Sequence, residues 1–304
     1  MLRTPIIAAL ILFSLLATST ASELPSAKPI PMRLVGKMNF APISESSGIV
    51  RSKLWPDWLW THNDSGDTAR IFAVRKSGTI IKPSWAGENY QGLHISDAAN
   101  IDWEDIATDE SGNLFIAACG NNSNARRDLA IYFFPEPNAS HLIATRVFHR
   151  YDFIYPDQLD FPPITDKNFD SEAIFFTNGK LYLLTKHRAD SLTKLYRFDE
   201  LDPIELNVPT LVDEFDIRGQ VTAADISEDG ERLALLTYRH VWIFKSDRKK
   251  DNYFEGEVFW APLNTIATKT CESLCFWDED NLLIGNEEGE LYEIKASDLL
   301  KLQL

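Results

Sequence analysis

Residues 170–217 read DSEAIFFTNGKLYLLTKHRADSLTKLYRFDELDPIELNVPTLVDEFDI, and this stretch decides the fold. Polar turns divide it into an opening Asp170-Ser-Glu-Ala-Ile174 and apolar runs Leu181 to Lys186, Lys194 to Phe198 and Leu211 to Ile217. Runs this short, bounded by Gly, Asn and Asp and without helical periodicity, read as strands. The same order recurs along the chain. Equivalent openings are Glu45-Ser-Ser-Gly-Ile49, Asp102-Trp-Glu-Asp-Ile106, Thr222-Ala-Ala-Asp-Ile226 and Thr270-Cys-Glu-Ser-Leu274. Second strands follow at Trp58 to His62, Leu114 to Cys119, Leu233 to Tyr238 and Leu282 to Asn286. Third strands follow at Arg70 to Arg75, Leu129 to Phe134, His240 to Phe244 and Glu290 to Ile294. Phe148 to Ile154 and Phe254 to Pro262 supply further fourth strands. Four strands per repeat is the pattern of a propeller blade.

The expected fold is therefore all-β: a single β-propeller over residues 23–304 with about five four-stranded blades, or six if an irregular stretch hides one. The last unit lacks a fourth strand, and Met32 to Phe40 has strand-like composition ahead of the first unit. That segment is expected to complete the last blade and close the ring, which removes an exposed edge. A β-sandwich is the other architecture considered, and the four-strand period argues against it.

Residues 1–22 combine one cation, an apolar run from Pro5 to Ala17 and small residues ending Ser19-Thr-Ala21, the pattern of a cleavable secretory signal peptide. The run is short for a membrane span, which needs about 20 residues. A secreted or periplasmic protein with no membrane span after cleavage, and a monomer, is expected. The formal net charge of −15 argues against nucleic acid as a partner, because phosphate binding needs a cationic face. Three cysteines cannot all pair. Cys271 and Cys275, four residues apart on one strand, would have Cα atoms about 13 Å apart, beyond disulfide reach. A bond from Cys119 to either stays open beside the reading of all three as buried thiols.

In a propeller the first strand of each blade lines the central channel, and its start shares a face with the turn between the second and third strands. That rule gathers scattered motifs at one mouth. Strand starts bring Glu45, Asp102, Glu104, Asp170, Glu172 and Glu272. Side chains two apart on a strand share a side, so Asp102 with Glu104 and Asp170 with Glu172 are each expected to project together. Turns bring Asn63, Asp64, Asn121, Arg127, Lys186 and Tyr238, and Trp103 is a candidate platform for stacking a planar ligand. Gathered carboxylates repel unless a cation offsets them. Calcium, which takes six to eight oxygen ligands, is the candidate ion, with Glu45, Asp102, Glu104, Asp170 and Glu172 as candidate ligands from the strand starts and Asn63 and Asp64 as suitable donors from the turn beside them. The alternative is pairing with Arg127, Lys186 and Arg239, or capping of turns through backbone N–H groups. His62 and His187 also fall near the expected mouth, as general bases or as hydrogen-bonded turn residues.

Glu45-Ser-Ser-Gly48, Trp60-Thr-His-Asn-Asp-Ser-Gly-Asp67, Asp102-Trp-Glu-Asp-Ile-Ala107, Asn124-Ala-Arg-Arg127, Pro135-Glu-Pro137, Asp170-Ser-Glu-Ala173 and Val221-Thr-Ala-Ala-Asp225 together resemble a family of secreted bacterial β-propeller proteins. The resemblance covers nearly the whole chain beyond residue 22. It implies the fold and export, and no substrate. This chain departs from the family pattern at Ala118-Cys-Gly-Asn-Asn122, where members carry Asp-x-Gly-Asp-Asn, so two carboxylates are missing from the second blade's turn.

Two functions fit these residues. One is a binding or scaffold propeller that receives an ion, a small polar ligand or a peptide at its mouth. The other is a divalent-metal-dependent hydrolase, lactonase- or phosphoesterase-like, in which Arg127 and Lys186 orient an anionic substrate. No G-x-S-x-G elbow or complete set of acid, base and nucleophile is present.

Overall fold

The computed structural model describes residues 24–303, and the expected signal peptide at 1–22 lies outside them. Five antiparallel sheets follow one another along the chain. Blade 1 comprises Ser46–Arg51, Trp58–Asn63, Arg70–Arg75 and Leu93–Ser96. Blade 2 comprises Ile106–Thr108, Asn113–Ala118, Ala130–Pro135 and His149–Asp152. Blade 3 contains Ser171–Thr177, Lys180–Thr185, Leu192–Phe198 and Thr210–Asp216. Blade 4 contains Val221–Ile226, Arg232–Thr237, His240–Lys245 and Glu257–Pro262. Blade 5 has Cys271–Phe276, Asn281–Asn286 and Glu290–Lys295, and its outer strand is Arg33–Lys37 from the other end of the chain, antiparallel to Glu290–Lys295. The ring is therefore closed by the segment expected to close it, and the count is five, not six. The long excursions that stretch the repeat are the meander through Ile80–Ile81 to Leu93–Ser96 and the loop after Asp152. Ala144–Arg146 also adds in parallel to the edge of blade 1.

Alternation along each strand explains how one sheet serves two neighbours. In blade 3, Leu181 and Leu183 pack toward Phe115 and Ile131 of blade 2, whereas Tyr182 and Leu184 pack toward Leu235 and Trp242 of blade 4. Both faces are buried, so the middle strands read as continuous apolar runs rather than as alternating ones. Tight turns supply the reversals: Asn178 and Gly179, both at positive φ, join the first two strands of blade 3, as a two-residue hairpin turn requires. The three cysteines are free and buried, Cys119 donating to the Ser171 carbonyl at 3.3 Å.

The inner strands of neighbouring blades lie side by side around the channel, and polar side chains tie them together. Ser47 Oγ donates to the Glu104 carbonyl at 2.8 Å, and Thr222 Oγ1 to the Cys271 carbonyl at 3.0 Å. Asp105 does most. Fully buried, it accepts from Ile106 N through Oδ1 at 2.9 Å and from Ile174 N and Ala224 N through Oδ2 at 2.9 and 3.4 Å, so one carboxylate joins three blades. Burial pushes its pKa well above the usual carboxyl value despite these donors. Asp105→Ala would strand buried N–H groups, each costing about 1–3 kcal/mol, so urea unfolding should show a loss of roughly 3 kcal/mol. Asp105→Asn, which keeps an acceptor oxygen, should lose less than half of that.

Candidate functional site: an acidic channel mouth

Four inner strands carry a bulge near their start, where the pairing register slips by one residue at Gly48, Glu172, Thr222 and Glu272. Blade 2 repeats the feature just before its inner strand. Glu104 N donates to the Ala117 carbonyl at 3.0 Å and Ala117 N to the Asp105 carbonyl at 2.9 Å, so two residues oppose one. Glu104, Glu172 and Glu272 therefore occupy one structural position in three blades. A bulge leaves the extra residue unpaired and re-aims its side chain, here into the mouth. Asp102 precedes the inner strand of blade 2 instead of beginning it.

Asp64, Asp102 and Glu104 bring carboxylate oxygens within 4.8 Å of one another, and Glu104, Asp170 and Glu172 do the same. Glu104 belongs to both groups. Gly120 makes the approach feasible, because a Cβ there would stand 1.9 Å from Glu104 Oε1 and 2.6 Å from Asp102 Oδ2.

The two groups differ in what offsets their charge. Lys186 Nζ lies 2.8 Å from Glu172 Oε1, Arg188 donates to Asp170 Oδ2 at 2.7 and 3.0 Å, and Asn121 N donates to Asp170 Oδ1 at 2.6 Å. That half is already neutralised by protein cations. Glu104 is 4% exposed, and its carboxylate has no hydrogen-bond or ion-pair partner among the described residues. Asp102 likewise has no side-chain partner at bonding distance, and Asp64 is met by the N–H of Ser65. Burial, then the charges of Glu172, Asp64, Asp102 and Asp170, drive the Glu104 pKa well above the ordinary value. Burial together with Asp64 and Asp170 raises Asp102 to about 6. Burial raises Glu172 to about 8 despite Lys186. Burial opposes the Lys186 ammonium, but Glu172 and Tyr238 outweigh it and hold the lysine charged. The Lys186 ammonium also lies 5.2 Å from the Tyr238 ring centre, and Tyr238 donates to Glu272 Oε1 at 3.0 Å. This chain of contacts extends the mouth across blades 3 to 5.

Several candidate residues lie elsewhere. Glu45 is exposed and belongs to neither carboxylate group, because the inner strand of blade 1 begins after it and places Gly48 at the bulge. Trp103 is fully buried, donates from Nε1 to the Ala99 carbonyl at 3.0 Å and packs edge-on to His62, so it is core rather than a stacking platform. Arg127 is exposed and stacks on Phe161 at 3.9 Å, while Arg188 takes the role of pairing an acid. Arg239, also exposed, forms no ion pair among the described residues. Asn63 and Asn121 are buried behind the mouth as turn anchors: Asn63 Oδ1 accepts from Ser44 N at 3.1 Å, and Asn121 Oδ1 from Arg126 N at 2.9 Å. His62 is buried, with its pKa lowered by desolvation to about 4, and His187 Nδ1 lies 2.6 Å from Asp190 Oδ1, so neither stands as a base at the mouth. The sequence places Arg188 at the mouth, on the turn with Lys186 and His187, but gives no sign of the roles of Gly120 and Asp105. Asp105 is nonetheless visible as the third acid of the Asp102-Trp-Glu-Asp-Ile106 motif, and Arg188 as the last cation of Lys186-His-Arg188.

These features define a five-bladed propeller with a carboxylate-rich, partly neutralised mouth. No family model matches the chain, and neither does any curated protein. Among solved structures, a gluconolactonase from Xanthomonas campestris is similar at 13% identity, covering 92% of this chain and 99% of that one, with a TM-score of 0.43. The hydrazine synthase of Kuenenia stuttgartiensis is similar at 9% identity, covering 79% of this chain and 69% of that one, also with a TM-score of 0.43.

The raised pKa of Asp102 sets a sign. The folded chain holds this proton up to about 6, whereas an unfolded Asp releases it near 3.9, so between these values the fold binds more protons and stability falls as pH rises. Buried His62 acts oppositely below about pH 6.5, so the test is a difference between two proteins. With chelator present at pH 8, Asp102→Asn should melt above wild type by about 2–4 °C, the shift for roughly 1 kcal/mol in a chain of this size. The gain should disappear at pH 4, as calorimetry can check.

Proposed function

We propose that this chain is an exported ion- and ligand-binding propeller whose mouth holds one divalent cation between Asp64, Asp102 and Glu104. The observation that carries this reading is the Glu104 carboxylate, nearly buried among other carboxylates and without a partner. An unpaired buried charge is costly, and a cation offsets that cost. The donors are all carboxylate oxygens, which suit a hard ion, and calcium tolerates the irregular geometry better than magnesium does. Three carboxylates leave several of the six to eight calcium positions open to carbonyls, water and the oxygens of a small polar ligand.

The second carboxylate group is not assigned a further ion, because Lys186 and Arg188 already supply its positive charge. The same pairing favours binding over hydrolysis. Glu172 and Asp170, the carboxylates best placed beside such a cation to act as a base, are held by Lys186 and Arg188, and Glu104 is used as a ligand. Export rests on the leader-like residues 1–22 and on the family resemblance. Among the described residues no helix is long and apolar enough to cross a membrane.

Calorimetry of the mature chain with calcium or chelator tests the site. At a calcium concentration 100 times the dissociation constant, linkage adds about 2.7 kcal/mol, a rise of several degrees in the melting temperature. The rise should shrink as pH falls through 6, where protons compete for Asp102. Glu104→Gln should melt at or above wild type in chelator and show no response to calcium. A calcium response retained by Glu104→Gln, or absent from wild type at pH 8, would sink the assignment.

A further inference from the structure

The opposite end of the channel opens into a cavity of about 630 Å³, bounded by residues of all five blades and distinct from the carboxylate mouth. Its volume falls within the usual range of small-molecule sites. The hairpin turns between first and second strands form its rim; Glu110 there pairs with Arg248, and the remaining turn acids divide into two kinds. Asp109, Asp229 and Asp278 are spent on their own turns: Asp109 Oδ1 accepts from Asn113 N at 2.8 Å, Asp229 Oδ1 from Glu231 N at 3.0 Å and Asp278 Oδ1 from Asn281 N at 2.9 Å. Glu228 and Glu279 are exposed, and their carboxylates have no partner among the described residues.

Asp225 lies deeper. Its Oδ2 accepts from Phe276 N at 2.8 Å, no cationic side chain among the described residues pairs with it, and part of it stays accessible through the cavity. Burial raises its pKa to about 6, against the backbone N–H groups of Phe276 and Ile226 and the charge of Lys53, which all favour the ionised carboxylate. The cavity's arginines are held in place: Arg248 NH2 pairs with Glu110 Oε1 at 3.4 Å, Arg232 NH2 lies 4.0 Å from Asp229 Oδ2, and Arg51 remains a cation, 4.8 Å over the Trp277 ring. Arg51 Nε donates to the Pro56 carbonyl at 2.8 Å, Arg232 NH1 to the Glu279 carbonyl at 2.6 Å and Arg248 Nε to Asn178 Oδ1 at 2.9 Å. Val50, Phe176, Ile226 and Phe276 supply apolar wall.

From Asp225 the strand runs outward through Ile226 to the turn that carries Glu228 at the rim, three residues on and at most about 10 Å along the chain. The cavity thus presents an inner carboxylate, apolar wall and outer carboxylates. We propose that it binds a linear aliphatic polyamine, with one ammonium on Asp225, the methylenes against the apolar wall and a second ammonium near Glu228 and Glu279. Lys53, exposed and close enough to act electrostatically on Asp225, is the protein's own competitor for that carboxylate.

Isothermal titration of the mature chain with spermidine at pH 7.5 and moderate salt tests this. Wild type should bind one equivalent. Asp225→Asn should weaken binding at least tenfold, and Glu228→Gln with Glu279→Gln, on exposed turn residues that leave folding intact, should weaken it several-fold. Lys53→Ala should tighten it. Asp102→Asn at the other end should leave it unchanged. Absence of binding by wild type overturns the proposal, as does equal binding by the Asp225→Asn and Glu228→Gln/Glu279→Gln proteins. Loss of spermidine binding in Asp102→Asn would place the amine at the other mouth and equally overturn it.

Discussion

Five inner strands converge on one axis, and a bulge near the start of each decides what meets there. A regular strand would send every second side chain into the channel and the rest into the blade. The added residue breaks that alternation and turns Glu104, Glu172 and Glu272 toward a common mouth, while Gly48 and Thr222 leave the same position uncharged in blades 1 and 4. The asymmetry matters. The carboxylates crowd on the arc of blades 2 and 3, and Asp64 reaches them from the adjacent turn of blade 1. Below them Asp105 holds the backbones of blades 2, 3 and 4 together, so the spacing of the mouth and the integrity of the ring have a shared support.

Like charges at such separations are tolerated for two different reasons. On the blade 3 side, Lys186 and Arg188 come from the turn directly after the second strand and meet Glu172 and Asp170. On the blade 2 side the corresponding turn, from Gly120 to Leu129, brings Arg126 near enough to act electrostatically on Asp102, but among the described residues Arg126 pairs with neither Asp102 nor Glu104. Its glycine is what lets the acids close up. One half of the mouth is thus a finished ion-pair network and the other half retains uncompensated charge. Desolvation and then neighbouring acids raise the carboxyl pKa values of Asp102 and Glu104 in the unfinished half, and burial raises Glu172 in the finished half as well, despite its lysine.

Local pattern was enough for the architecture. Short apolar runs between Gly, Asn and Asp turns located the inner, second and third strands of all five blades to within a few residues, and the orphaned third strand at the C-terminal end pointed to ring closure by residues 32–40. Side-chain identity also located the acid-bearing positions, because four of the five candidate metal ligands, Asp102, Glu104, Asp170 and Glu172, do converge. What failed was exposure. Trp103 lies inside its motif yet is core, and Glu45 opens its motif in the place Asp102 takes in blade 2 yet is solvent-facing, because the inner strand of blade 1 begins after it.

Sequence by itself therefore determined the repeat, the strand order and which residue types crowd the strand openings, because each depends on neighbours within a few positions. Only the tertiary structure decided which carboxylates are paired and which are left alone. Arg188, not Arg127, reaches Asp170; Asp64 replaces Glu45 beside Asp102; and Asp225 faces a cavity at the far end. Those outcomes depend on contacts between residues well apart in the chain, such as Asp225 with Phe276 of the next blade, and no local pattern encodes such distances.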